Sequence, residues 1–166
     1  MKGALKFAAL KFAGLGAVAL TAALVARSPA QAGGAEPNGA ALYGRCAACH
    51  TATGAGVPGA YPPLGVDFRT LAARNEGRRY IALAVIKGLS GPITVEGKAF
   101  RGVMPAQSGL DDAAIAAVLN HVGTTITKAG PAFRRFTPAE IGTIRGGGAS
   151  LSSADVARLH AGAGGK

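Results

Sequence analysis

Apolar residues return at helical spacing in several short stretches, and the gaps between them are long and rich in glycine and proline. Leu42, Tyr43 and Cys46 mark a first helix over Asn38 to Cys46, with Pro37 near its start. A short helix over Phe68 to Asn75 is predicted with Asp67 as its cap. Tyr80, Ile81, Ala84 and Val85 share one stripe of a helix from Arg78 to Lys87, and Gly88 stops it. The clearest pattern opens at Asp111 or Asp112 and runs to about Val122, with Ile115, Val118, Leu119 and Val122 on one face and Gly123 after it. Thr137-Pro138-Ala139-Glu140 has the capping-box pattern with proline at the first helical position. A last short helix is expected over Ser153 to His160.

The connections carry a different signal. Thr51 to Pro63 is loop by composition, and Gly146 to Gly148 reads as a flexible break. Ser90 to Pro105 is irregular but holds one hairpin candidate, in which Ile93-Thr94-Val95 and Lys98-Ala99-Phe100 flank Glu96-Gly97. The fold class is all-α with little sheet. Long loops in a compact domain argue against a plain helical bundle unless they cover something.

The first 32 residues stand apart. Lys2, Lys6 and Lys11 precede an apolar run from Phe12 to Ala26, and Ala30-Gln31-Ala32 supplies small residues at the spacing a signal peptidase reads. Cleavage after Ala32 is expected. A retained N-terminal membrane anchor is the rival, although the run falls short of the roughly 20 apolar residues a span needs. Four of the 18 basic residues and none of the 8 acidic ones leave with the segment, so the net charge falls from +10 to +6. A positive balance suits nucleic acid, a membrane surface or an acidic protein. An exported chain does not meet nucleic acid, and its basic residues form no run longer than two. An acidic protein partner fits best, with the membrane involved only if the N-terminal segment stays.

Export to an oxidising compartment would make a disulfide the default for the two cysteines, Cys46 and Cys49. Their setting points elsewhere. Cys46-Ala47-Ala48-Cys49-His50 is C-x-x-C-H, the attachment sequence of a c-type haem. Thiols one helical turn apart can each bond a porphyrin vinyl group, and the histidine that follows can reach the iron. A thioredoxin-like redox pair would sit in a βαβ pattern, which is missing. A disulfide here would close a tiny loop, and a zinc site would lack a fourth donor. Seven aromatics and no tryptophan remain beyond residue 32, a thin core that a prosthetic group would help fill.

Once Met1 has left with the signal, Met104 is the remaining methionine, carried on Gly102-Val103-Met104-Pro105. It is the candidate second axial ligand, weighed against a core methionine that fills a gap. His121 reads as a partly exposed or capped helix residue. His160, among glycine and alanine, reads as a solvated side chain.

With these residues in hand the chain resembles a class I cytochrome c over about Asn38 to Val122, with a tail to about Arg145. Gly39 and Tyr43 match the family's glycine and aromatic in the first helix, which crosses the last. Cys46, Cys49 and His50 match its haem motif, and Met104 with Pro105 matches its methionine loop. Pro63 and Leu64 resemble the loop in which a proline carbonyl accepts the proximal imidazole proton and a leucine packs on the ring. The resemblance implies helices and long loops wrapped around one covalent haem c, with residues 33–130 as the cytochrome domain and 131–166 as a C-terminal extension. His121 departs from it, standing where the family commonly has an aromatic. The segment Lys87 to Met104 is similar to cytochromes that accept electrons from periplasmic dehydrogenases. That implies a periplasmic, non-enzymatic electron carrier or subunit. A dehydrogenase would be its donor, and an oxidase or another cytochrome of the respiratory chain its acceptor. If Met104 does not bind, the alternative is a haem enzyme or a gas- or peroxide-reactive sensor with an open sixth site, and a structural module with unused cysteines is a third reading. Lys87, Lys98 and Arg101 are candidates for a basic docking rim as well as ordinary surface. Arg78-Arg79 and Arg134-Arg135 have either haem propionates or protein acids as candidate partners.

Overall fold

Asn38 starts the first helix with its side chain, whose oxygen accepts the N–H groups of Ala40 and Ala41 at 3.1 Å and so satisfies two of the donors a helix start leaves unpaired. The computed structural model describes residues 36–166; the export segment and the cut after Ala32 lie outside the described residues. Helix α1 runs Gly39–His50, past the expected end at Cys46, so the whole C-x-x-C-H motif is helical. Helix α4, Asp112–His121, is capped by Asp111, which accepts the Ala114 N–H at 2.8 Å.

These two helices cross in contact, and Gly39 sets how closely. A Cβ there would lie 2.3 Å from the Ala117 carbonyl oxygen and 3.0 Å from His121 Cβ. His121 takes the aromatic's place in the crossing, its ring 5.5 Å from that of Tyr43. We expect Gly39→Ala to force α1 off α4 and to cost about 2 kcal/mol, the scale of overpacking at a tight contact. Thermal unfolding of the two proteins side by side checks this, and an unchanged midpoint would show that the crossing relaxes freely.

Helix α2, Val66–Ala72, begins after Gly65 and contains Asp67. The expected cap is therefore wrong: the Asp67 carboxylate turns inward instead. Helix α3, Asn75–Lys87, starts three residues before Arg78 and is buried over most of its length. It ends at Gly88, whose φ of 73° favours glycine. Beyond it the hairpin candidate forms as β2 (Ile93–Val95) and β3 (Lys98–Phe100), with Ile93 opposite Phe100 and Glu96 and Gly97 at φ 51° and 75° in the turn. A second ladder has no counterpart in the expected elements: β1 (Leu89–Ser90) pairs antiparallel with β4 (Val103–Met104), Leu89 facing Met104.

Gly123 does not end the helical path. A π-helical turn, Val122–Ile126, extends α4, and Gly123 admits the Phe133 ring, which a Cβ would meet at 2.3 Å. Arg69 gathers the loosened carbonyls, donating to Gly123 at 2.8 Å, Thr127 at 3.0 Å and Pro131 at 2.8 Å.

Helix α5, Pro138–Gly147, follows its predicted cap, Thr137 accepting from Glu140, and α6, Ser153–Gly162, opens on a reciprocal capping box of Ser152 and Asp155 that has no counterpart among the expected caps. Gly146 and Gly147 belong to α5 rather than to a flexible break, and Gly148 lets Leu83 approach. α5 packs on α3 and α4, and α6 packs on α3, β1 and β2. Phe136, Ile141, Val156 and Ala157 are buried in the same core as Leu83 and Ile115. Residues 131–166 thus complete the wall around the middle of the chain.

Arg78 fastens this half to the other. It is 1% exposed, donates to both Glu140 oxygens at 2.6 Å, and also reaches the carbonyls of Ala72, Arg134 and Arg135. Its guanidinium lies 3.7 Å from the Phe136 ring centroid. Of its two expected classes of partner, Arg78 takes the protein acid. No helix among the described residues is long and apolar enough to cross a membrane.

Candidate functional site

One cleft gathers the chemistry-bearing residues. It measures about 1170 Å³ out to its open mouth, and its walls include Cys46, Cys49, His50, Leu64 and Met104. Several segments line it, α2, α4 and α6 among them. The last turn of α1 presents both cysteines and His50, because positions three and four apart share a helix face. The loop at 60–64 forms a second side, Ile81, Ala84 and Val85 of α3 a third, and the hairpin and β4 a fourth.

His50 is buried, and its Nδ1 lies 2.9 Å from the Pro62 carbonyl oxygen. Nδ1–H is therefore the donor, and the Nε2 lone pair remains for the cleft. The accepting carbonyl belongs to Pro62, one residue before the Pro63 to which the resemblance assigned it; Pro63 and Leu64 both line the cleft. Burial holds the His50 imidazole below its ordinary range, and the Pro62 carbonyl pulls weakly the other way, so the ring stays a neutral donor of its lone pair. Thr51 reverses the chain directly after it at φ 65°, and Tyr43 fixes that reversal by donating to the Thr51 carbonyl at 2.8 Å. Both cysteines are free and half-buried. Burial pushes the Cys46 thiol up, against a lowering by Arg45.

Met104 is placed by backbone contacts. The β1–β4 ladder sets it opposite Leu89. Gly88 lets the loop close onto α3, since a Cβ there would stand 2.3 Å from the Met104 carbonyl oxygen. Beyond Pro105, Gln107 N–H donates to Val85 at 2.8 Å. Thr127, just after the π-helical turn, donates its hydroxyl to the Leu64 carbonyl, so the end of α4 braces the loop that holds His50.

The cytochrome c family model matches residues 37–125. A cytochrome c-552 of Thermus thermophilus is 41% identical over 113 residues, covering 67% of this chain and 76% of that protein. A second Thermus thermophilus cytochrome c-552 is 40% identical over 112 residues, covering 66% and 86%. The chain belongs to the cytochrome c family. It is an electron-transfer protein with redox protein partners, and its cofactor is a covalently bound haem c.

The cleft of this cytochrome suits that cofactor by its own chemistry. Its walls are mainly aliphatic and aromatic, it holds two unpaired thiols one turn apart, and a neutral imidazole and a thioether both belong to its lining. Sequence reasoning misplaced two ionisable members of the lining. Asp67, expected as a cap, and His160, expected in solvent, are both buried and bonded to each other in the cleft wall. Neither has a local sequence signal; their partnership is long-range.

Proposed function

We propose that the chain is a periplasmic monohaem cytochrome that carries single electrons from a dehydrogenase toward the respiratory chain. In this reading residues 1–32 direct export and are removed, residues 33–130 carry the haem, and residues 131–166 complete its shell. The observation that supports it most is the common cleft of the C-x-x-C-H turn and Met104. When bound, the haem supplies an iron that cycles between ferric and ferrous states one electron at a time.

The residues divide the remaining work. Cys46 and Cys49 would hold the porphyrin by thioethers, and His50, oriented by Pro62, would bind the iron through Nε2. Met104 would also hold the iron, through its thioether, and with Leu64 would keep water out. A thioether ligand favours the ferrous state and raises the potential. With His50 and Met104 both holding the iron, substrate or gas would find no free place on it, which favours the electron-carrier reading over the open-site one.

Docking would occur at the mouth. Val103 and Tyr61 line it and are 68% and 39% exposed, an apolar lip suited to a small, transient interface. Lys98 and Arg101 are exposed beside it, whereas Lys87 is tied to the Ala149 carbonyl at 2.8 Å. Lys98 and Arg101 thus remain the basic rim, facing an acidic partner. The protein purified from a host that matures such cytochromes should have the mass of chain plus one haem and a ferrous spectrum of low-spin type. Its reduction by an acidic dehydrogenase or donor cytochrome should slow as salt rises. A rate indifferent to salt would remove the electrostatic part, and a colourless product would end the reading.

A further inference from the structure

The cleft wall contains an ionisable pair that electron transfer as described does not use. His160 of α6 is 3% exposed, and its Nε2 lies 2.9 Å from Asp67 Oδ2. Asp67 Oδ1 accepts the Lys166 backbone N–H at 2.8 Å. The tail lies flat on the imidazole: a Cβ on Gly165 would come within 2.2 to 2.4 Å of three ring atoms. Among the described residues the Nδ1 atom has no hydrogen-bond partner, and it is not sealed off, since no buried side-chain nitrogen there lacks a partner.

The other groups around this ring are few. From α3, Tyr80 meets it edge-on at 5.0 Å, and its phenol is pushed far up by burial and then by Asp67, so it stays protonated. Glu96 of the hairpin turn accepts the Asp67 N–H at 3.4 Å. The Arg74 side chain rests against Gly164. Strands β1 and β2, which also pack on α6, carry no ionisable side chain. Among the described residues the remaining titratable groups of the cleft are Cys46, Cys49, His50 and Tyr61, and neither lysine nor arginine lines it. Apart from the iron-facing His50, His160 is the lining side chain able to take up a positive charge.

We propose that His160, braced by Asp67, is a proton-binding site coupled to the charge on the haem iron, taking a proton from solvent when the protein is reduced and returning it on oxidation. The proposal rests on the reading above that the haem occupies this cleft. Nε2–H donates to Asp67 in both states, so the proton enters and leaves at Nδ1 while the electron comes from the donor protein. Ferric iron carries one more positive charge than ferrous iron, and within a wall of low dielectric that charge repels a second cation. Reduction therefore tightens proton binding at His160. By linkage the reduction potential falls as pH rises through the interval between the two proton affinities.

The test is the potential of the holoprotein measured from about pH 5 to about pH 8, the range in which histidine titrates. We expect about tenfold tighter proton binding in the reduced protein, which for one electron is a fall of roughly 59 mV across the interval. In His160→Gln the amide still donates to Asp67 but does not titrate, and the potential should be level over the same range. A level potential in the unaltered protein overturns the proposal, as does an undiminished slope in the variant. Should the variant not fold, the His160 ring resonances of the unaltered protein decide: a higher midpoint in the ferrous than in the ferric state upholds the coupling, and equal midpoints overturn it. A level potential in a protein with a normal low-spin spectrum removes the proton site alone, whereas loss of that spectrum removes the haem reading beneath it.

Discussion

Replacing Met104 by alanine should lower the reduction potential by the order of 0.1 V, within the roughly 0.8 V range that axial ligands command, and should let the ferrous protein bind carbon monoxide at neutral pH. Two effects act together. If Met104 ligates as proposed, loss of the thioether removes a ligand that favours ferrous iron and opens a coordination place beside Leu89 and the β1–β4 ladder. The fold should survive, because Met104 is held in place by the backbone contacts of Gly88 and Leu89 rather than itself holding them. Spectroelectrochemistry with a carbon monoxide titration measures both effects. If potential and spectrum stay as they were, Met104 is a packing residue and the sixth ligand lies elsewhere.

The second large effect concerns stability. Arg78→Leu should cost about 3 kcal/mol, the lower end for breaking a buried ion pair, and lower the melting temperature by roughly 10 °C. The substitution leaves Glu140 with only the looser, largely exposed Arg134 at 3.7 Å, and takes a donor from the carbonyls of Ala72, Arg134 and Arg135. The lower end applies because the Glu140 side chain keeps 23% of its exposure, so water takes up part of the loss. The same pair predicts an acid limit. The Arg78 hydrogen bond is the main reason the Glu140 carboxyl lies below its ordinary 4.5. Its contribution is therefore complete above pH 4.5 and is lost as pH falls through the folded-state value. Glu140→Gln should flatten that acid dependence in denaturation curves taken below pH 5. If it leaves the curves unchanged, another carboxylate sets the limit.

Much of the cleft could be read from the residues because its parts are local patterns. C-x-x-C-H needs five consecutive positions, the Ile93–Phe100 hairpin needs a turn pair between two β-rich triplets, and Met104 before its proline has no rival but Met1. The misreadings share a cause. His160 and Asp67 are buried by each other across 93 residues, and nothing near either one betrays that. Asp67 at a helix start looks like a cap until its carboxylate is seen to be engaged elsewhere. Strands β1 and β4 are two residues each, too short for any alternation. The glycines at 146–148 look like a break, yet Gly148 is there for Leu83 to pass. Pro62 and Pro63 are neighbours of one type, and which carbonyl faces His50 is a matter of loop shape.

The long reach between Asp67 and His160 also orders events in a chain delivered from its N-terminus. The thiols precede α6 by about a hundred residues, so the side of the cleft that His160 lines cannot form from the segment that carries them. That side is built only when α6 docks on α3, β1 and β2, which makes one wall of the cleft depend on one of the longest-range contacts around it.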